Sequence, residues 1–128
     1  RNLITPAKAK VAETLDEFRG AHLYNRLDTH YRRFAAEVGQ VTLWDDHEVR
    51  DNWFPTQVLQ DDRYGEKQVR VLAARARQAF LEHYPIPLQS DGTGRVYRAV
   101  GYGPLIEICA LDMREYRGPS TDNVQPTL

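Results

Sequence analysis

Apolar and aromatic positions recur at helical intervals in the first third of the chain. Leu15, Phe18 and His22 follow one another at that spacing, and Thr14 with Glu17 has the Thr-x-x-Glu arrangement of a capping box, so a helix is predicted to start near Leu15. Asp28 is a second capping residue, after which Tyr31, Phe34, Ala35 and Val38 repeat a helical stripe that Gly39 ends. The pattern predicts two short helices joined near Asp28. At Val41 the period changes: the run 41–44, Val-Thr-Leu-Trp, is short and apolar, as expected for an interior strand of an α/β sheet.

Periodicity is lost over residues 52–65, where Trp53, Phe54, Pro55 and the acidic pair Asp61, Asp62 predict an irregular loop. From Glu66 onward Val69, Leu72, Ala76, Ala79, Phe80 and Tyr84 mark one face of a helix, with Arg70, Arg75 and Arg77 off that stripe and Pro85 and Pro87 closing it. The cluster Asp91, Gly92, Thr93, Gly94 predicts a turn. It leads into an alternating strand over 95–100, a turn at Gly101, Tyr102, Gly103, Pro104, and a second strand over 105–111. The polar tail after Gly118 is expected to fray. These elements together predict an α/β (α+β) fold, with helices packed on a mixed sheet in a layered sandwich.

Composition narrows the class. At 128 residues and 41% hydrophobic the chain has material for one modest core, and a formal charge of -1 gives no field favouring nucleic acid or an anionic membrane. No apolar stretch approaches the roughly 20 residues needed to span a bilayer. The lone Cys109, flanked by Ile106, Ile108, Ala110 and Leu111, is expected to be a buried thiol. The chain opens on Arg1, which fits an excised piece of a larger protein.

The chemistry concentrates in Trp44-Asp45-Asp46-His47-Glu48, directly after the predicted strand. Several ionisable groups at a buried strand end are costly to keep there without a bound ion. Carboxylate oxygens and an imidazole nitrogen can supply metal ligands together with an acid or base. Adjacent residues of an extended strand face opposite ways, so Asp46 and His47 act together only if the chain turns there. On composition alone such clusters are more often salt-bridged strand ends than metal sites.

Trp44-Asp45-Asp46-His47-Glu48-Val49 followed by Asn52-Trp53 resembles the signature of PhoD-like alkaline phosphatases, of the calcineurin-like metallophosphoesterase superfamily. Tyr102-Gly103-Pro104-Leu105 through Leu111-Asp112-Met113-Arg114-Glu115-Tyr116-Arg117 resembles a second block of that family, and Leu15 to Arg19 also fits. The resemblance implies hydrolysis of small-molecule phosphate esters at a dinuclear or multinuclear centre. Iron and calcium are the expected metals, with manganese or zinc as alternatives. Carried over by position, Asp46 resembles a metal ligand, and His47 the catalytic acid or transition-state stabiliser. Asp45, Glu48 and Asn52 are then expected to orient the turn from behind.

Arg114 and Arg117 are candidate phosphate contacts, because a guanidinium fork matches phosphate geometry; a structural ion pair of Arg114 with Asp112 or Glu115 is the competing expectation. Trp53 is a candidate wall of the substrate cleft, or else a packing anchor. His22, His30 and His83 lie on helical faces and are expected to be structural or solvated. Asp51 departs from the family pattern, in which Asn is usual, and is expected to be solvated. The tyrosine ligand of iron- and calcium-using members has no secure counterpart: Phe18 stands where Tyr is common, and Tyr24 is the substitute at hand.

The superfamily site also needs an upstream Asp-containing block and a downstream block of His ligands, and neither occurs in these 128 residues. The expectation is therefore one domain over 1–128 forming the central part of a larger phosphatase domain, with an incomplete metal site when alone. Family likeness also implies a secreted or periplasmic location, which no residue here supports. The alternative function is a non-catalytic α+β fragment or anion-binding module.

Overall fold

The computed structural model describes residues 3–87, 92 and 94–119. Thr14 caps the first helix, α1 (Leu15–Asn25), with a complete capping box: its hydroxyl accepts from Glu17 N while Glu17 Oε2 accepts from Thr14 N at 2.9 Å. Asp28 caps α2 (Thr29–Glu37) by accepting from Tyr31 N at 2.8 Å, so the break near Asp28 is where the sequence places it. The apolar stripe of α2 does not enter the core among the described residues, and Phe34 stays exposed. The helix stops at Glu37, before Gly39, because Val38 already turns extended.

The third helix, α3 (Val69–His83), carries the core. Its buried residues Val69, Leu72, Ala76, Ala79 and Phe80 are the predicted stripe, with half-buried Tyr84 packed beside it. Helix α1 packs on α3 through Phe18 and Leu15. The contact is latched at its edge by Arg19, which donates from Nε and Nη2 to the two carboxylate oxygens of Glu82 at 2.6 and 2.7 Å. The irregular stretch 52–68 packs into the same core as α3. It buries Trp53, Leu59 and Tyr64 and is pinned by a single bridge between Val58 and Gln68. Glu13 ties this loop to the start of α1: its Oε1 accepts from Gly65 N and Glu66 N at 2.6 and 2.7 Å.

Strands β1 (Arg98–Tyr102) and β2 (Ile106–Ala110) form an antiparallel hairpin in the register Arg98 to Ala110 and Tyr102 to Ile106. Gly103, at φ 67°, supplies the left-handed residue of its turn. Of the turn expected at 91–94 only Gly92 and Gly94 are described, Gly92 with φ 70°, and the tail from 120 lies outside the described residues.

Helices and strands thus coexist as expected, but two expectations are corrected. The run 41–44 is extended without being a strand: among the described residues no neighbour pairs with it, Val41 and Leu43 are exposed, and the carbonyl of Thr42 accepts from Arg98 Nη2 at 2.7 Å. The described sheet is therefore the two-stranded hairpin and not a mixed sheet. Cys109 is exposed, because no second layer among the described residues covers β2, which buries only Ala110.

Candidate metal centre

Trp44 roots the acidic run in the core. It is 2% exposed, meets Trp53 edge-on with ring centroids 5.4 Å apart, and tilts against Phe80 at 6.2 Å. Beyond it the chain makes one helical turn: Asp46 O accepts from Val49 N and Arg50 N at 2.9 and 2.8 Å. Glu48 closes the turn from its far side, Oε2 accepting from Asp45 N at 2.8 Å. This turn satisfies the condition for Asp46 and His47 to face one region.

Asn52 ends the turn in the left-handed region, φ 52°, which Asn tolerates better than other side-chain-bearing residues. That conformation aims its N–H at Asp46 Oδ2, 3.1 Å away, while its side-chain amide donates to Asp51 Oδ1 at 3.2 Å. Trp53 is 1% exposed and donates from its indole to Asp45 O at 3.3 Å. It supports the turn from beneath and stands as a packing anchor, not as a wall in open solvent.

Arg114 arrives from the segment after β2. Its Nε donates to Asp45 Oδ1 at 2.6 Å, and Nη2 lies 3.3 Å from Asp46 Oδ2. Neither partner expected for its side chain receives it. Asp112 Oδ1 instead accepts the backbone N–H groups of Arg114 and Glu115, both at 2.9 Å, and Glu115 pairs with Arg77 at 2.6 Å. Arg114 Nη1 is buried and makes no hydrogen bond among the described residues. Arg117 donates its backbone N–H to Arg114 O at 3.2 Å.

Three potential ligand atoms converge on the open side of the turn. Asp46, His47 and Asp51 bring one donor each within 4.8 Å of one another, with His47 Nε2 at 3.9 Å from Asp46 Oδ1 and 3.6 Å from Asp51 Oδ1. Burial pushes the Asp46 carboxyl up, but the Asn52 N–H and the Arg114 charge outweigh it and hold the group below the usual carboxylate range. It is thus ionised, with Oδ2 engaged by Asn52 and Arg114 and Oδ1 facing the cluster. The two hard carboxylate oxygens suit a hard metal ion, and the imidazole beside them is placed either to join them as a borderline ligand or to serve as an acid. The residues fit such an ion.

Asp51 is expected in solvent, and its side chain is 64% exposed. The signal for its place in the cluster is the i, i+4 spacing from His47, which on one helical turn brings the two side chains to the same face. Neither candidate tyrosine position joins the site: Phe18 is core, and Tyr24 lies under the Lys8 ammonium, 6.0 Å from its ring centre.

The model of the PhoD-like phosphatase family matches residues 1–127. The chain belongs to the PhoD-like phosphatase family. Among its relatives, alkaline phosphatase D of Bacillus subtilis strain 168 is 34% identical over 113 residues, covering 86% of this chain and 19% of the relative. The chain thus spans about a fifth of that protein's length. No solved structure matches the chain significantly. Both PhoD-like blocks, the acidic run and the segment after the hairpin, fall inside the matched region, and they meet in space through Arg114, Asp45 and Asp46. No described helix is long and apolar enough to cross a membrane.

Proposed function

We propose that this chain is the central part of a metal-dependent phosphate-ester hydrolase with a layered metallophosphoesterase-type sandwich fold, whose remaining ligands come from other parts of a longer polypeptide. The observation that carries this reading is the convergence of Asp46, His47 and Asp51 on one open face of a turn fixed by Glu48, Asn52 and Trp53. Asp46, joined by Asp51, would hold the metal. When bound, the ions supply Lewis-acid charge that holds phosphate oxygens and activates water. Iron and calcium remain the metals of first choice on family likeness, with manganese or zinc next.

The chain's own residues have separable roles. His47 is 79% exposed at the rim, where it donates a proton to the departing oxygen or a hydrogen bond to the transferred phosphoryl. Asp45, Glu48 and Asn52 hold the backbone of the turn, and Trp53 packs beneath it. Arg114 neutralises Asp45 and Asp46, and its guanidinium is the candidate phosphate contact beside the turn. Family likeness supports a secreted or periplasmic location.

The test is hydrolysis of a chromogenic phosphate monoester and a diester by the longest natural polypeptide containing this segment, supplied with calcium, iron or manganese. His47→Ala is expected to lower kcat by roughly 10²-fold or more, the range for losing a general acid. Full activity in that variant would remove His47 from the mechanism. Absence of hydrolysis with every metal would favour a non-catalytic, anion-binding module.

A further inference from the structure

Beside the metal cluster lies a cleft of about 720 Å³, and His47, Arg50 and Asp51 form one of its walls. Lys8, Lys10, His22 and Tyr84 are also among its lining residues. Most of the flanking positive charge is already neutralised: Lys10 pairs with Glu13 and Glu17, both at 2.9 Å, and Arg63, also in the lining, pairs with Asp61 at 2.6 Å. Arg50 differs. It makes no ion pair within 4 Å among the described residues, although its charge is felt at Asp61; its guanidinium lies over the Tyr64 ring at 6.0 Å, and its Nε is buried without a hydrogen-bond partner.

We propose that this cleft receives the leaving-group portion of the phosphate ester and that Arg50 recognises an anionic group carried on it. The inference rests on His47 as the group that meets the departing oxygen: whatever is bonded to that oxygen extends from His47 into the adjoining space, and that space is the cleft. Arg50 sits three residues beyond His47 on the same wall, and its planar fork suits a carboxylate or a second phosphate. The substrate class is therefore phosphate esters with a negatively charged leaving group. Arg50 acts as a specificity residue and moves no proton.

The test uses the full-length parent protein, with para-nitrophenyl phosphate and a carboxylated nitrophenyl phosphate as paired substrates. Wild type is expected to favour the carboxylated ester in kcat/KM, and Arg50→Gln to lower that preference about tenfold or more, the range for a lost hydrogen bond to a charged group. Arg50→Lys, which keeps the charge, is expected to retain part of it. An unchanged ratio of the two kcat/KM values in Arg50→Gln overturns the proposal, even if both rates fall together. Calorimetric binding of the carboxylated nitrophenol gives a readout independent of hydrolysis: affinity about tenfold weaker in Arg50→Gln supports the assignment, and equal affinity overturns it. Failure of the phosphatase reading appears separately, as no hydrolysis of either ester by wild type.

Discussion

Arg114 Nε donates to Asp45 Oδ1 at 2.6 Å across 69 residues of sequence. This contact joins the acidic run after Trp44 to the segment after the hairpin, the two stretches that carry the family resemblance. Its electrostatic environment is uneven. The Arg114 side chain is nearly buried and Asp45 is 69% exposed, whereas Asp46, the second partner at 3.3 Å, is buried almost as deeply as the arginine. The shorter contact is therefore screened by water, and the longer one, in lower dielectric, matters more to the site.

Replacing Arg114 is expected to be costly for that reason. Arg114→Gln leaves Asp46 partly buried without its cation, and a loss of about 2–3 kcal/mol in urea-unfolding free energy is expected, below the full range for a deeply buried pair. Asp45→Asn, at the exposed partner, should cost less than about 1 kcal/mol. Arg114→Lys should not restore the wild-type value, because one ammonium cannot reproduce the fork that holds both carboxylates. Equal losses for Arg114→Gln and Asp45→Asn would show that Asp46 is not the partner that counts.

Asn52 gives a sharper test of how the turn is held. Its φ of 52° is open to glycine without penalty and strained for a β-branched residue. Asn52→Gly is expected to stay within about 0.5 kcal/mol of wild type, while Asn52→Val should lose about 1–2 kcal/mol. In the parent enzyme the valine variant should also lose activity, since the N–H that orients Asp46 moves with the backbone. A valine variant with unchanged stability would show that the turn is not locked in this conformation.

Local signals were the legible part of this chain. The Thr14–Glu17 box, the Asp28 cap and the Val69 to Phe80 stripe each act within a few residues, and each appears where the sequence places it; the hairpin turn expected over 101–104 instead lies at 103–105, with Gly101 and Tyr102 inside β1. Residues 41–44 misled because an apolar run says that a segment can be buried, whereas a strand also needs a partner edge, and none lies among the described residues. Cys109 misled in the same way, since its burial depends on a layer over β2. In the candidate site the acidic run was legible as a cluster. The choice of Asp45 and Asp46 over Asp112 and Glu115 by the Arg114 side chain was not, because it depends on where two distant loops meet.

Gly20 illustrates a constraint invisible to propensity. In the middle of α1, Ala should be better than Gly by roughly 0.5–1 kcal/mol. Yet a Cβ at Gly20 would collide with the Cβ of Ala7, in the 3₁₀ turn Pro6–Lys8 that packs against the helix. Gly20→Ala is therefore expected to destabilise by about 1–3 kcal/mol through overpacking. The double variant Gly20→Ala/Ala7→Gly should recover most of that loss; no recovery would place the cost elsewhere.

His22 sets a pH dependence with a definite sign. Burial, then the charges of His83 and Arg26, depress its pKa from 6.5 to about 4, as the ring stacks on His83 at 5.0 Å and meets Tyr84 edge-on at 5.6 Å. Between those values the unfolded chain binds a proton that the native protein refuses, so this contribution to stability is complete above pH 6.5 and is lost as pH falls toward 4. The expected loss is about 1–3 kcal/mol, since the ring is only partly buried. Glu17 titrates in a separate window: burial raises its pKa, but the Thr14 N–H, Lys10 and further hydrogen bonds outweigh that and bring it from 4.5 to about 2. Its stabilisation is full above pH 4.5 and lost below it, toward pH 2. Denaturant midpoints measured across both windows should therefore fall in two steps, and His22→Phe, which keeps the aromatic packing against Phe80 and Tyr84, should remove the upper step alone. Persistence of the upper step in that variant would assign the proton to another group of the α1–α3 contact.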